Sequence, residues 1–437
     1  MQAQTRRQPL PTPNTPMKPT QRHTDAATLV RTATAILALT ASGAWAADEK
    51  LLAAARAAEP AFITSLQEMV AIESGTMDLP GLRRMTDYAE RRLKALGLQV
   101  ERRPSSTAKG DMLIGQLQGS GRRKLMLIAH LDTVYAPGTL ATQLIRRDGN
   151  RLYGPGIADD KGGVAVILHA LAILKTAGWQ DYAQLTVLFN ADEESQSAGS
   201  GETIAALAEP QDVVLSYEPT AAKAMAKTEG VLLAAAGTAT VTMTVKGRAS
   251  HAGAAPEQGR NALMEMAYQL GQTADIAKGI PGAQLNWTEA SSGKVRNQIP
   301  ELATASADLR LTAADAAQRL EAALKAQVAR HQVPETETAI AVNIGRPPFA
   351  GDARTLALAR RAQAIYAELD GRPLMLVPGT GAGTDAGYAS RSGKPVVLES
   401  LGLAGWGYHA RDEYIEIDSI VPRLYLSTRL LMELGRD

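Results

Sequence analysis

The sequence has no cysteine, which excludes structural disulfides, thiolate zinc sites and cysteine nucleophiles; any bound metal must be held by His, Asp and Glu. It has almost no net charge, +1 at pH 7, so no global field draws in nucleic acid or an anionic membrane, and neither is expected as a partner. It shows no internal repeat or low-complexity tract beyond its N-terminal region. Long apolar runs are missing too, and the N-terminal run from Thr32 to Leu39 is shorter than the roughly 20 residues a membrane span needs. That run follows Arg6, Arg7, Lys18, Arg22 and Arg31 and precedes the small-residue pattern Ala44-Trp45-Ala46. Residues 1–46 are therefore expected to be a signal peptide cleaved after Ala46, leaving a periplasmic or secreted protein with no membrane attachment. Either Met1 or Met17 could be the start, the export route stays open, and an N-terminal anchor is the competing reading.

What is present is organised around Gly154-Pro155-Gly156-Ile157-Ala158-Asp159-Asp160-Lys161-Gly162-Gly163, a glycine-rich turn opening into the apolar helical stretch Val164 to Leu174. Such a turn lets the backbone approach closely and adopt positive φ, and it is expected to aim Asp159. Three further stretches read as strands that run out into polar residues. Lys124 to Ala129 leads to His130 and Asp132, Gln184 to Phe189 to Asp192-Glu193-Glu194, and Val213 to Tyr217 to Glu218. In an open α/β sheet, ligands bind beyond the carboxyl ends of the strands, so these endings should converge on one rim.

At 437 residues the chain can bury two or three cores. Leu51 to Leu98 has helical spacing and ends at Gly97, after which strands alternate with helices as far as Tyr217. That alternation predicts an α/β fold, a largely parallel sheet flanked by helices. Near Gly230 the pattern changes. Thr238 to Val245 alternates strictly, Ile280 to Trp287 and Ala303 to Leu311 are similar, and helices are expected at Ala262 to Ala274 and Ala313 to Arg330. This is the split β-α-β order of a small α+β ferredoxin-like domain, inserted at 232–345 into a catalytic domain made of 47–231 and 346–437. Helices at Arg354 to Leu369 and Ser419 to Leu434 and a strand at Pro395 to Leu398 complete the second part.

A site of histidine and carboxylates without thiolate suits zinc and tolerates cobalt or manganese. Asp159 can bridge two ions, having two oxygens to share. Of Glu193 and Glu194, neighbours pointing in different directions, one can bind metal while the other serves as general base. Singly, each carboxylate reads more readily as a solvated surface group or a helix cap; in series at strand ends they reverse that reading and point to a site.

His130-Leu131-Asp132-Thr133-Val134, the turn 154–163, Asp192-Glu193-Glu194, Glu218-Pro219, Ala249-Ser250-His251-Ala252-Gly253 and Tyr408-His409 occur in the order of the motifs of the M20 co-catalytic zinc peptidases. The chain resembles that family over its whole mature length, and within it the glutamate carboxypeptidases that act on folates. The resemblance implies a zinc-peptidase-like fold with an inserted lid and dimerisation domain, and two Zn2+ per chain, with Co2+ or Mn2+ as possible substitutes. It implies His130 and Glu218 at one ion, Glu194 and His409 at the other, Asp159 bridging, Glu193 as general base and Asp132 orienting His130. It implies a cis peptide after Asp159. It also implies a homodimer in which His251 reaches the other subunit's site to stabilise the oxyanion, with Arg346, Asn297 and Arg310 contacting a substrate carboxylate. Without the resemblance a surface-turn histidine is an equal reading of His251, and an isolated arginine is more often a surface group. The segment Ala221 to Ala236, with Lys223 and Lys227, departs from the family pattern, so those two lysines are left without a role.

Overall fold

The computed structural model describes residues 47–107 and 110–436, so the expected leader lies outside the described residues. Among the described residues, no helix is long and apolar enough to cross a membrane.

The strand Lys124–His130 shows how the central sheet is built, because every residue after Lys124 is buried. Successive side chains point to opposite faces. Leu125, Leu127 and Ala129 enter one core with the helices Glu49–Val70, Lys161–Thr176 and Ile420–Arg436, while Met126 and Ile128 enter a second with Ile204, Ala386 and Tyr388. A strand clothed on both faces needs apolar residues at every position, and this one has them. The six strands lie in the order Gln99–Pro104, Asp111–Gln118, Gln184–Asn190, Lys124–His130, Val213–Ser216, Val396–Leu398. The last four are parallel and the first two antiparallel. The helix after the glycine turn is buried nearly all round, consistent with its unbroken apolar run.

A second sheet has no counterpart in the sequence reading. Arg146–Asp148, Arg151–Tyr153, Tyr414–Glu416, Ala404–Trp406 and Thr220–Ala221 form five strands of two or three residues each. Such pieces are too short to show a period of two, yet they knit together the segments leading into Gly154, following Glu218 and preceding His409.

The inserted domain is a four-stranded antiparallel sheet, in the order Ala283–Ser292, Leu302–Leu311, Gly237–Lys246, Glu337–Arg346, with the helices Ala262–Thr273 and Ala316–Val328 and its own core. Its sheet begins at Gly237 rather than Leu232. Gly230–Leu232 pairs with Met375–Val377, and Ala234–Ala235 with Phe349–Ala350, outside that sheet.

Candidate active site

The carboxyl ends of the parallel strands deliver their polar residues to one rim. His130 ends its strand and is 1% exposed. Asp159 is aimed from the other side by the glycine turn, in which Gly156 has φ 69° and leaves no room for a side chain against Thr133. The backbone N–H groups of Gly156, Ala158 and Asp159 all donate to the buried carboxylate of Glu413, at 2.8, 2.8 and 3.0 Å. Asp160 accepts from the N–H of His130 and of Gly163, both at 3.2 Å, which ties the turn to the strand and caps the helix behind it. The Asp159–Asp160 peptide is cis, as the resemblance implies.

Asp159 turns one oxygen to each histidine. Oδ1 lies 3.0 Å from His130 Nε2, which is also 3.7 Å from Glu218 Oε1. Oδ2 lies 3.4 Å from His409 Nε2, which is 3.2 Å from Glu194 Oε2. His409 reaches this position from a left-handed backbone, φ 60°. His130 Nδ1 faces Asp132, 3.0 Å from its carbonyl oxygen and 3.3 Å from Oδ1. Asp132 does more than orient that ring: its fully buried carboxylate also accepts from the N–H groups of Glu193 and Glu194, each at 3.1 Å, and from Thr76 at 2.8 Å.

The donors fall into two groups, His130, Asp159, Glu218 and Asp159, Glu194, His409, with ligand atoms within 4.8 Å of one another in each and Asp159 common to both. Glu194 Oε1 is buried and has no hydrogen-bond partner, an acceptor waiting for a positive charge. Burial pushes the Glu193 carboxyl up to about 8 and also raises Glu194 and Glu218. Burial works against a charge on His130, yet Glu218, Asp132 and Asp159 outweigh it and its pKa rises. Burial likewise opposes charge on Asp159, but hydrogen bonds from His130 and His409 leave it well below the ordinary carboxylate range. Carboxylates crowded this way into a dry site need cations, and the residues present fit metal ions. A cleft of about 530 Å³ opens over these groups, lined also by Arg310, Arg346 and Tyr408. A larger hollow beside Leu52, Glu368 and Pro422, about 1020 Å³, holds neither donor group, so volume alone would misplace the chemistry.

The sequence pattern of peptidase family M20/M25/M40 matches residues 126–433. The chain belongs to peptidase family M20. Carboxypeptidase G2 of Pseudomonas sp. (strain RS-16) is 42% identical over 96% of this chain and 99% of its own length. Succinyl-diaminopimelate desuccinylase of Xanthomonas euvesicatoria is 28% identical over 72% of this chain and 86% of its own. The M20 fold is also that of an M20 family metallo-carboxypeptidase from Sulfolobus solfataricus, with TM-score 0.67, 14% identity, and 86% and 99% of the two chains covered. The aminopeptidase PepT of Bacillus cereus matches with TM-score 0.67, 20% identity, and 86% and 98% covered. This is a metallopeptidase scaffold with two groups of side chains able to hold a metal ion.

The other expected site residues divide. Glu193 is buried, and Arg346 grips it twice, Nη1 on Oε1 at 2.5 Å and Nη2 on the backbone oxygen at 2.5 Å. Arg346 is thus engaged with the expected base while also lining the cleft. Arg310 lines the cleft and pairs with Asp308 at 2.9 Å. His251 and Asn297 are not brought to the cleft within this chain. They are exposed together on a small ribbon of the inserted domain, where His251 pairs with Gln298 and its Nδ1 accepts from the N–H of Gly253 and Ala254. Lys223 is held by Asp418 at 2.5 Å, and neither it nor Lys227 lines the cleft. The sequence reading missed Glu413 and Asp385, both buried. The signal was present for each: Glu413 follows His409 by four residues, and Asp385 follows the glycine-rich stretch from Gly379 to Gly383 by two.

Proposed function

We propose that this chain is an exported di-zinc carboxypeptidase that hydrolyses the amide joining an acyl or aroyl group to a C-terminal glutamate, as in folates, folate analogues and related N-acyl glutamates. The single observation that carries this reading is the 42% identity to Carboxypeptidase G2 across 96% of the chain, and the two groups of possible donors sharing Asp159 support it. His130, Asp159 and Glu218 would hold one zinc, and Asp159, Glu194 and His409 the other. Zinc there would supply Lewis acidity toward the scissile carbonyl and toward water at neutral pH.

The chain's own residues do the rest. Glu193, at the cleft floor, takes the proton from the attacking water and hands it to the departing amide nitrogen. Asp132 fixes both the imidazole of His130 and the turn carrying Glu193. Arg310, which lines the cleft and shares its guanidinium with Asp308, would meet a substrate carboxylate, with Arg346 adding positive charge from its place beside Glu193. His251, exposed on the inserted domain, would stabilise the oxyanion of a partner chain's substrate in a homodimer formed through that domain.

The test is turnover by zinc-loaded protein of folate, methotrexate and a panel of N-acyl amino acids. N-acyl glutamates should be preferred. Preference for another C-terminal residue, or for free dipeptides, would make the chain an aminoacylase or dipeptidase of the same family.

A further inference from the structure

The turn that carries Glu193 is strained. Gln196 and Ser197, which close it, have φ of 68° and 51° although neither is glycine. Consecutive left-handed residues with side chains persist only where the surroundings hold them. Asp132 holds the front of the turn, through the N–H groups of Glu193 and Glu194, and its closing residues are held by one short helix, Ala386–Ser390, and the residue before it. The buried carboxylate of Asp385 accepts from the Ser197 hydroxyl and, at 2.7 Å, from Asn190 Nδ2. The hydroxyl of Tyr388 lies 3.1 Å from the backbone oxygen of Gln196 and 2.6 Å from that of Gly345, so one proton bridges two carbonyls.

Gly345 is the next-to-last residue of the inserted domain's final strand. A Cβ there would stand 1.8 Å from Gln196 Oε1, so the strand runs flush against the turn. The following residue is Arg346, whose guanidinium holds Glu193 at both its side chain and its backbone. Tyr388 itself is 7% exposed and does not line the cleft. Any effect it has on chemistry must pass through what its hydroxyl touches.

We propose that Tyr388 is a positioning residue whose hydroxyl joins the inserted domain's last strand to the Glu193 turn, so that the orientation of that domain and the placement of the base are set together. This rests on the reading of Glu193 as general base.

The test is Tyr388→Phe, which removes the hydroxyl and keeps the ring packed in its core. On an N-acyl glutamate, kcat should fall about tenfold, the equivalent of losing about 1.4 kcal/mol from the transition state, with KM within about threefold and metal content unchanged. Ser197→Ala releases the closing end of the same turn from its bond to Asp385, so the double variant should lose less than the product of the two single losses. Amide hydrogen exchange across residues 190–200 should quicken in Tyr388→Phe, a readout independent of substrate. A kcat within twofold of wild type, a loss matched by lost metal, multiplicative losses in the cycle, or unchanged exchange would each overturn the proposal. If Tyr388→Phe does not fold, Ser197→Ala and Gly345→Ala, which crowds the turn from the strand side, carry the same kinetic and exchange criteria. If the wild type hydrolyses no N-acyl glutamate, the carboxypeptidase reading fails while the exchange experiment still decides the role of Tyr388.

Discussion

On the rim of the central sheet, Asp132 and His130 are buried and each stands within hydrogen-bond reach of other site groups. On the inserted domain, His251 and Asn297 are exposed, and the His251 ring accepts from the N–H groups of its own loop. The difference follows from what each location costs. A carboxylate or imidazole taken out of water must have partners in place once the chain folds, so the rim is assembled by folding itself. A histidine left in water costs nothing to carry and can be supplied to a site by motion or by a second chain. Arg346 stands at the junction, the last residue of the inserted domain's final strand, and is already committed to Glu193.

The strongest way to break that comparison is at Glu193. Glu193→Gln should lower turnover by about a thousandfold while leaving metal content intact, because only the proton acceptor is lost. Glu194→Gln should instead deplete metal, since it removes a donor whose second oxygen has no other partner. Metal analysis beside kinetics checks both, and the reverse pattern would exchange the roles of the two neighbours. Fully active protein should carry two ions per chain; saturation at one would end the di-zinc reading.

The second test falls on the exposed side. His251→Ala should lower kcat by roughly a hundredfold or more, with metal content and melting temperature unchanged. Mixing His251→Ala with Glu193→Gln chains then separates the two ways of supplying the histidine. If it acts across a dimer, subunit exchange yields one site with both lesions and one with neither, and activity partly returns. No recovery despite demonstrated heterodimers would place the histidine in its own chain's site.

How much of this was legible in the sequence depended on run length. The strand leading to His130 was readable because six consecutive apolar-rich residues end in a polar pair, and the same signature exposed Glu193, Glu194 and Glu218. His409 was reached only by resemblance, since it follows strands of three residues that carry no period. Asp385 and Glu413 sit in loops whose carboxylates look solvated in a string of letters, and only tertiary packing buries them. The start of the four-stranded sheet at Gly237 was hidden for the same reason, because the pairings of residues 230–235 are only two and three residues long.

A smaller effect should come from Arg310. It lines the cleft from the inserted domain, half-buried and shared with Asp308. Arg310→Ala should raise KM for an N-acyl glutamate about tenfold with little change in kcat, the signature of a group that binds ground state and transition state alike. A fall in kcat at constant KM would move Arg310 from binding into catalysis.

The smallest expected effect concerns a histidine with no part in the chemistry, and it tests whether burial on the rim side always demands a partner. His169 lies in the helix behind the glycine turn, buried, with Nε2 2.9 Å from the Ser65 hydroxyl and 3.3 Å from Arg92 Nη2, and its ring 5.1 Å from that of Phe62. The guanidinium beside Nε2 repels a second positive charge on the ring, which favours the neutral imidazole. Burial first, and then the charge of Arg92, pull its pKa down to about 4. The folded form therefore binds the proton less readily than the unfolded chain, whose histidine titrates near 6.5. Stability from this group is present above about pH 6.5 and is lost as the pH falls toward 4, because the unfolded state gains the proton first. The full loss is on the order of 3 kcal/mol for a shift of about 2.5 units. His169→Gln keeps an acceptor near Nε2 but cannot take the proton. Urea unfolding at a series of pH values should show wild type losing more stability than His169→Gln between pH 6.5 and 4, and a difference that stays flat across that window would mean the imidazole is not held neutral.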